Sequence, residues 1–137
     1  MENNAPEKIA RFETFLRSVG LVCQRRDGPD PKLFGNQVIQ YGDGNVGLRI
    51  VSDRSEWTVS VSDAAGRPDK WYDSDLLRDL LYGERDDTLP LDEQISLFER
   101  NWTDIVGRFT ADRRRETHAQ LEALGTARSK RIFGWSP

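Results

Sequence analysis

Cysteine and histidine are almost absent from this chain of 137 residues, which has one of each, Cys23 and His118. One cysteine cannot form an internal disulfide, and one cysteine with one histidine cannot supply the ligand cluster of a zinc site. Asp73 and Asp75 stand at a predicted helix start, so they do not form a calcium loop. We therefore expect no metal and no cofactor. Cys23 continues an apolar alternation from Leu21, which predicts a buried structural thiol.

The residue patterns of nucleophilic catalysis are missing as well. There is no Gly-x-Ser-x-Gly elbow, and His118 lies in a charge-rich segment, where we expect a surface histidine without a catalytic role. The glycines near residue 44 precede no helix, so they do not form a phosphate-binding loop. Carboxylate pairs such as Asp86 with Asp87 lie in predicted exposed turns, where nothing raises a pKa. The sequence predicts a protein that is not an enzyme.

Long apolar runs are also absent. No segment approaches the roughly 20 apolar residues of a membrane helix, and the N-terminal residues lack the apolar core of a signal peptide. Hydrophobic residues make up 36% and charged residues 31% of the chain. This length and composition predict one cytoplasmic domain that covers residues 1–137.

The segment 36–62 predicts three antiparallel strands. Asp43-Gly44 is typical of a two-residue hairpin, which would place Tyr41 opposite Val46. A second reversal near residue 54 would place Ile50 opposite Val59. In this register the apolar residues of all three strands share one face, and Thr58, Ser60 and Ser62 on the other face are predicted to face water.

Four helices are predicted by apolar residues that recur every three or four positions. The first follows a capping box at Asn4, has Glu13 on its solvent side and ends at Gly20. The second is capped by Asp73 or Ser74 and ends at Gly83. The third runs from Pro90 to about residue 109, and the fourth from Thr110 to Gly125. Residues 21–25 predict a short edge strand, and residues 63–69 predict a loop. Trp71, which follows this loop, either anchors a partner or covers the edge of the core.

These elements define an expected fold class. We expect an α+β fold in which a three- to four-stranded antiparallel meander sheet is packed by about four α-helices, one N-terminal and three C-terminal. The tail after residue 131 ends in apolar residues, which either dock on the domain or meet another chain.

Charge is distributed unevenly along the chain. Residues 69–93 have a net charge of −6, and residues 108–131 a net charge of +4. The two segments either pair with each other, within a chain or between two copies, or form separate partner surfaces, or are solvated helix faces. An acidic surface would steer a basic protein partner, and its candidate contact residues are Asp73, Asp75, Asp79, Glu84, Asp86 and Asp87.

A basic surface supports a second hypothesis. The C-terminal segment could neutralise phosphates of a nucleic acid through Arg113, Arg114, Arg115, Arg128, Lys130 and Arg131. The chain is acidic overall, however, and the strand aromatics are predicted on the inner face instead of on a stacking platform. A homodimer in which the two segments meet is a third hypothesis.

Three short segments resemble known proteins. Residues 49–59 (RIVSDRSEWTV), 71–73 (WYD) and 89–94 (LPLDEQ) resemble those of small bacterial proteins, some of which look like immunity proteins of polymorphic toxin systems. The resemblance covers less than half of the chain. It implies an α+β fold and a protein-binding role, such as the neutralisation of a basic toxin, with no catalytic residues.

Overall fold

The computed structural model of the chain describes residues 5–28, 36–54, 56–85 and 88–133. Its elements are α1 (Ala5–Ser18), β1 (Val22–Asp27), β2 (Gln37–Gly42), β3 (Gly47–Asp53), β4 (Glu56–Asp63), β5 (Arg67–Asp73), α2 (Ser74–Tyr82), α3 (Leu91–Arg108) and α4 (Arg114–Phe133). The α+β class and the arrangement of one N-terminal and three C-terminal helices are confirmed. None of the helices in these ranges is both long and apolar enough to cross a membrane.

The five strands form one antiparallel meander in the order β1-β2-β3-β4-β5. The sheet therefore has one more strand than the largest number predicted. The prediction of a loop before Trp71 is wrong for β5, because proline is tolerated in an edge strand, where no neighbour needs the missing N–H of Pro68. β1 is the opposite edge strand, as predicted, and it extends to Asp27.

The register of β3 and β4 places the core as predicted. Ile50 pairs with Val59 and Leu48 with Val61, and all four side chains are fully buried. The helices cover this inner face of the sheet, and Phe12, Leu16, Phe98, Trp102 and Ile105 complete the core with residues of all four helices. Burial of such a shared apolar face is the main stabilising contribution in a domain of this size.

The predicted pairing of β2 with β3 is wrong by two residues. Tyr41 pairs with Leu48, and the loop is longer than two residues. The side chain of Asp43 explains this, because its Oδ1 accepts the N–H groups of Asn45 and Val46 at 2.9 and 3.0 Å and closes a wider turn. A shift of two keeps every side chain on its predicted face, so the buried set is unchanged.

The helix ends follow the predicted caps in part. Asp73 caps α2 by accepting the N–H of Leu76 at 3.0 Å, and Gly83 ends α2 with φ of 71°. The prediction that Gly125 ends the last helix is wrong, because α4 continues to Phe133. A glycine inside a helix costs only about 1 kcal/mol, which the surrounding helix-forming residues tolerate.

Three predictions about burial are also wrong. Cys23 is exposed, because β1 is an edge strand whose six residues are all exposed. Ser60 and Ser62 are buried on the outer face of the sheet, the face that carries no helix, and Trp71 lies against the side of Ser62. Glu13, predicted on the solvent side of α1, is buried because it binds the hydroxyl of Tyr41 at 2.6 Å.

Some predicted features lie outside the described residues. These are the capping box residue Asn4, the acidic pair Asp86 and Asp87, and the last four residues of the tail.

Candidate functional site

The point where β5 ends and α2 begins leaves backbone groups of β4 without a strand partner. The pairing of β4 with β5 ends at Ser60 and Asp73, so Val59 and Trp57 lie beyond it. Buried peptide groups must find other hydrogen-bond partners, because leaving them unpaired costs free energy. Two side chains supply those partners, Ser74 from α2 and Gln94 from α3.

Gln94 makes four hydrogen bonds at this junction. Its Oε1 accepts the N–H of Val59 at 2.8 Å and the hydroxyl of Ser74 at 2.9 Å. Its Nε2 donates to the carbonyl oxygens of Trp57 and Leu89, both at 3.0 Å. The Ser74 hydroxyl also lies 2.7 Å from the Val59 carbonyl, so its single proton is shared between that oxygen and Oε1 of Gln94. Each hydrogen-bonding position of the buried amide is used, so Gln94 fixes α2 and α3 against the end of β4.

This junction forms the floor of a groove of about 480 Å³. We call it the acidic groove. Its acidic residues are Glu56, Asp73 and Asp75, and Trp57 is its aromatic residue. The described lining residues include no lysine and no arginine. The remaining lining residues are Thr58, Ser74, Thr88, Leu89, Pro90, Leu91 and Gln94. The groove is therefore a negatively charged recess with an aromatic and aliphatic wall.

Two of the predicted acidic residues lie in the groove and also support its structure. Asp73 caps α2 and forms an ion pair with Arg128, whose Nη1 lies 3.1 and 3.0 Å from the two carboxylate oxygens. Asp75 accepts the N–H of Leu89 at 3.2 Å and so holds the loop that precedes α3. Both residues line the recess and are partly buried, and Glu56 is exposed.

The other predicted acidic residues are not part of this groove. Asp79 is buried, and its Oδ1 lies 3.3 Å from Nη2 of Arg85. Glu84 is exposed and lines a separate groove between α2 and α3. Asp86 and Asp87 lie outside the described residues. The predicted acidic surface is thus divided among several environments.

The predicted basic residues are divided in the same way. Arg114 and Arg128 form internal ion pairs, with Asp63 and Asp73 respectively. The pair between Arg128 and Asp73 joins the predicted basic and acidic segments within one chain. The side chains of Arg113, Arg115, Lys130 and Arg131 are exposed along α4 and the turn before it.

A buried polar network attaches α4 to the sheet. His118 lies 2.9 Å from Oδ2 of Asp63 through Nε2 and 2.6 Å from the hydroxyl of Tyr72 through Nδ1. In the tautomer that satisfies both partners, Nε2 donates to the carboxylate and the tyrosine hydroxyl donates to Nδ1. Arg114 lies 3.0 Å from the same carboxylate oxygen, and the N–H of Gly66 donates to Oδ1 at 3.0 Å.

This network corrects the prediction for His118, which is 6% exposed instead of lying on the surface. An aspartate, a histidine and a hydroxyl joined in this order by hydrogen bonds are also the groups of a nucleophilic triad. Here the hydroxyl belongs to Tyr72, which is 1% exposed, and burial raises its pKa to about 12. The Tyr72 hydroxyl is sealed from solvent, and its contact with His118 fixes α4 against the sheet.

Sequence reasoning missed both Gln94 and the buried network, for different reasons. Gln94 is in helical phase with the apolar residues Phe98 and Trp102, and a polar residue in an apolar stripe is a signal for a buried, hydrogen-bonded side chain. His118 and Asp63 are 55 positions apart, and no local pattern joins them.

Comparison of the chain with models of known protein families, with curated proteins and with solved structures finds no match in any of the three. Within the part of the chain that the structure describes, no three histidine, cysteine or acidic side chains converge as metal ligands. A function is therefore inferred from the chemistry of the acidic groove itself.

Proposed function

We propose that this protein is a non-enzymatic, cytoplasmic protein-binding module that receives basic side chains of a partner protein in the acidic groove. The observation that carries the proposal is the composition of the groove, in which Glu56, Asp73 and Asp75 lie beside Trp57 and no described lining residue is basic. Charge complementarity of this kind speeds the encounter of two proteins and selects between partners.

The groove suits the two parts of an arginine or lysine side chain. The aliphatic stem can pack on Leu89, Pro90 and the indole of Trp57, while the charged head reaches a carboxylate. Arginine is the better fit, because its planar guanidinium stacks on aromatic rings and binds carboxylates through two parallel hydrogen bonds. Asp73 is already paired with Arg128, so Glu56 and Asp75 are the carboxylates that we expect to contact the partner.

A basic toxin is the class of partner that we propose. Enzymes that cut nucleic acids carry basic surfaces because they bind the phosphate backbone. An acidic module that fills such a surface would neutralise the toxin, which is the role of an immunity protein. The resemblance of residues 49–59 and 89–94 supports this class, and both segments contribute residues to the groove.

The nucleic-acid alternative has less support from the geometry. Two of the six basic residues predicted for it, Arg114 and Arg128, are in internal ion pairs. Each internal pair removes one charge from phosphate binding. The four exposed basic residues remain available, so capture from a lysate that still contains nucleic acid is a direct test of this alternative.

Affinity capture with a charge-reversed variant tests the proposal. Wild-type protein, Glu56→Lys and the matched control Glu99→Lys are immobilised and exposed to a nuclease-treated lysate of the native host. Both glutamates are exposed, so each variant changes the charge equally without disturbing the core. We expect one basic protein to be retained by the wild type and by Glu99→Lys, and its retention to fall at least about tenfold with Glu56→Lys, as loss of a charged hydrogen bond predicts.

Two outcomes would contradict the proposal. One is retention of nucleic acid and no protein from an untreated lysate, which would favour the basic face of α4. The other is equal retention by Glu56→Lys and Glu99→Lys, which would place the partner away from the groove. Co-expression of the captured protein with either variant provides a second readout, because a toxin should arrest growth when Glu56 is reversed.

A further inference from the structure

The outer face of the sheet has a centre made of small residues, and Trp71 lies across it. Trp71 pairs with Ser62, and its neighbour Tyr72 faces the core. A Cβ atom at residue 47 would lie 3.2 Å from the indole, which is closer than side chains normally approach. Gly47 therefore leaves the space that the indole occupies.

Arg49 lies on this indole. Its guanidinium carbon is 4.3 Å from the centre of the Trp71 ring, a cation–π contact that fixes the position of the charge. The Nε atom of Arg49 is buried and finds no hydrogen-bond acceptor among the described residues. Across the described ranges, no carboxylate pairs with Arg49. A half-buried guanidinium is thus held in place without an anion.

The strand register also places Asp53 and Glu56 on this face, beyond Val51, but within the described ranges neither forms an ion pair with Arg49. Arg25 and Asp27 are exposed on β1, and they form an ion pair with each other. Burial lowers the pKa of Arg49, and the positive charge of Arg25 lowers it further. Partial removal from water without a counterion destabilises a charged group. Binding of an anion beside Arg49 would therefore lower the free energy of its guanidinium.

We infer that the outer face of the sheet binds an acidic segment of a partner protein, and that Arg49 receives an aspartate or glutamate carboxylate while Trp71 orients the guanidinium. Arginine and tryptophan are among the residues that most often dominate binding energy at protein interfaces. The half-buried pair Val38 and Val51 lies next to Arg49 on the same face and offers an apolar strip beside the charge.

A carboxylate fits this site better than a nucleic acid does. A polyphosphate gains its affinity from many neutralised phosphates, and on the described part of this face one cation is uncompensated. The face of the indole that could stack on a base is occupied by Arg49. Arg49 and Trp71 are not among the residues that line the acidic groove, although Thr58 and Asp73 of the groove pair with Val51 and Ser60 of this face. The inference does not depend on the proposed function.

Nuclear magnetic resonance of the full chain tests the inference. The signals to follow are the Nε–H of Arg49 and the indole N–H of Trp71, assigned with the variants Arg49→Gln and Trp71→Phe. The three probes are a short polyglutamate peptide with blocked ends, inorganic phosphate and single-stranded oligothymidine. We expect the peptide to shift both signals in a saturable way, and phosphate at equal concentration to leave them nearly unchanged.

Charge-matched variants complete the test. Arg49→Gln should weaken peptide binding by about 10- to 100-fold, as loss of a charge-assisted hydrogen bond predicts. Arg11→Gln removes the same charge from the exposed surface of α1 and should change binding by less than about twofold. An unchanged backbone amide spectrum shows that each variant is folded. The inference is overturned if the peptide shifts neither wild-type signal, if phosphate acts as strongly as the peptide, or if oligothymidine binds more tightly.

Discussion

Replacing Gln94 with leucine tests how the acidic groove is held together. The change keeps a similar volume but removes all four hydrogen bonds of the amide. The hydroxyl of Ser74 keeps its bond to the Val59 carbonyl, and the Trp57 carbonyl is only partly buried. Two fully buried groups remain unpaired, the Val59 N–H and the Leu89 carbonyl.

The expected loss follows from these two groups. Each buried group left without a partner costs about 1–3 kcal/mol, so Gln94→Leu should lower the free energy of unfolding by roughly 2–6 kcal/mol. Domains of this kind have a free energy of unfolding of about 5–15 kcal/mol. The variant should therefore still fold at room temperature, with a small free energy of unfolding if the wild type is at the lower end of this range.

Urea unfolding followed by circular dichroism measures the effect. The matched control is Gln120→Leu, which makes the same chemical change at an exposed position of α4 and should alter stability by at most about 0.5 kcal/mol. A loss below about 1 kcal/mol for Gln94→Leu would refute the reasoning, because the amide would then not be satisfying buried backbone groups.

Further predictions concern the core and the buried network. Asp63→Asn should cost about 3–5 kcal/mol in urea unfolding, because it leaves the partly buried Arg114 without its counterion; a cost below about 1 kcal/mol would contradict the network. Trp102→Ala should cost about 3–5 kcal/mol, and Trp57→Ala less, because Trp57 is only partly buried; equal losses would be inconsistent with the packing. The folded state holds the proton of Tyr72 more tightly than an unfolded tyrosine with a pKa near 10 does, so stability should fall as the pH rises from about 10 towards 12. Tyr72→Phe should reduce that fall, and an identical pH profile would contradict the assignment.

The sheet was predictable where two independent patterns agreed. The pairing of Ile50 with Val59 follows from strand alternation and from the turn near residue 54, and it is correct. The observed register of the first hairpin differs from the predicted one because the side chain of Asp43 accepts hydrogen bonds from two backbone N–H groups. These bonds favour a longer loop than the Asp-Gly dipeptide predicts. β5 was not predictable because an edge strand that contains Pro68 has the local composition of a loop.

The candidate site was predictable only in part, because long-range contacts create it. Asp73 and Asp75 were identified from charge alone, but the fold brings Glu56 and Trp57 to them. The buried position of His118 depends on a partner far away in sequence, which periodicity does not reveal. α4 has few apolar residues, and its attachment through ion pairs and a buried histidine could not be deduced from an apolar stripe.

Site-specific photo-crosslinking in the native host tests most directly whether the acidic groove holds a basic partner. A photoreactive phenylalanine analogue is placed at Thr88, an exposed residue of the groove, and in a second protein at Glu99, an exposed residue of α3 outside the groove. We predict one covalent adduct with a basic protein from position 88, its loss when Glu56→Lys is added, and no such adduct from position 99. No protein adduct from position 88, or the same adduct from both positions, would contradict the account.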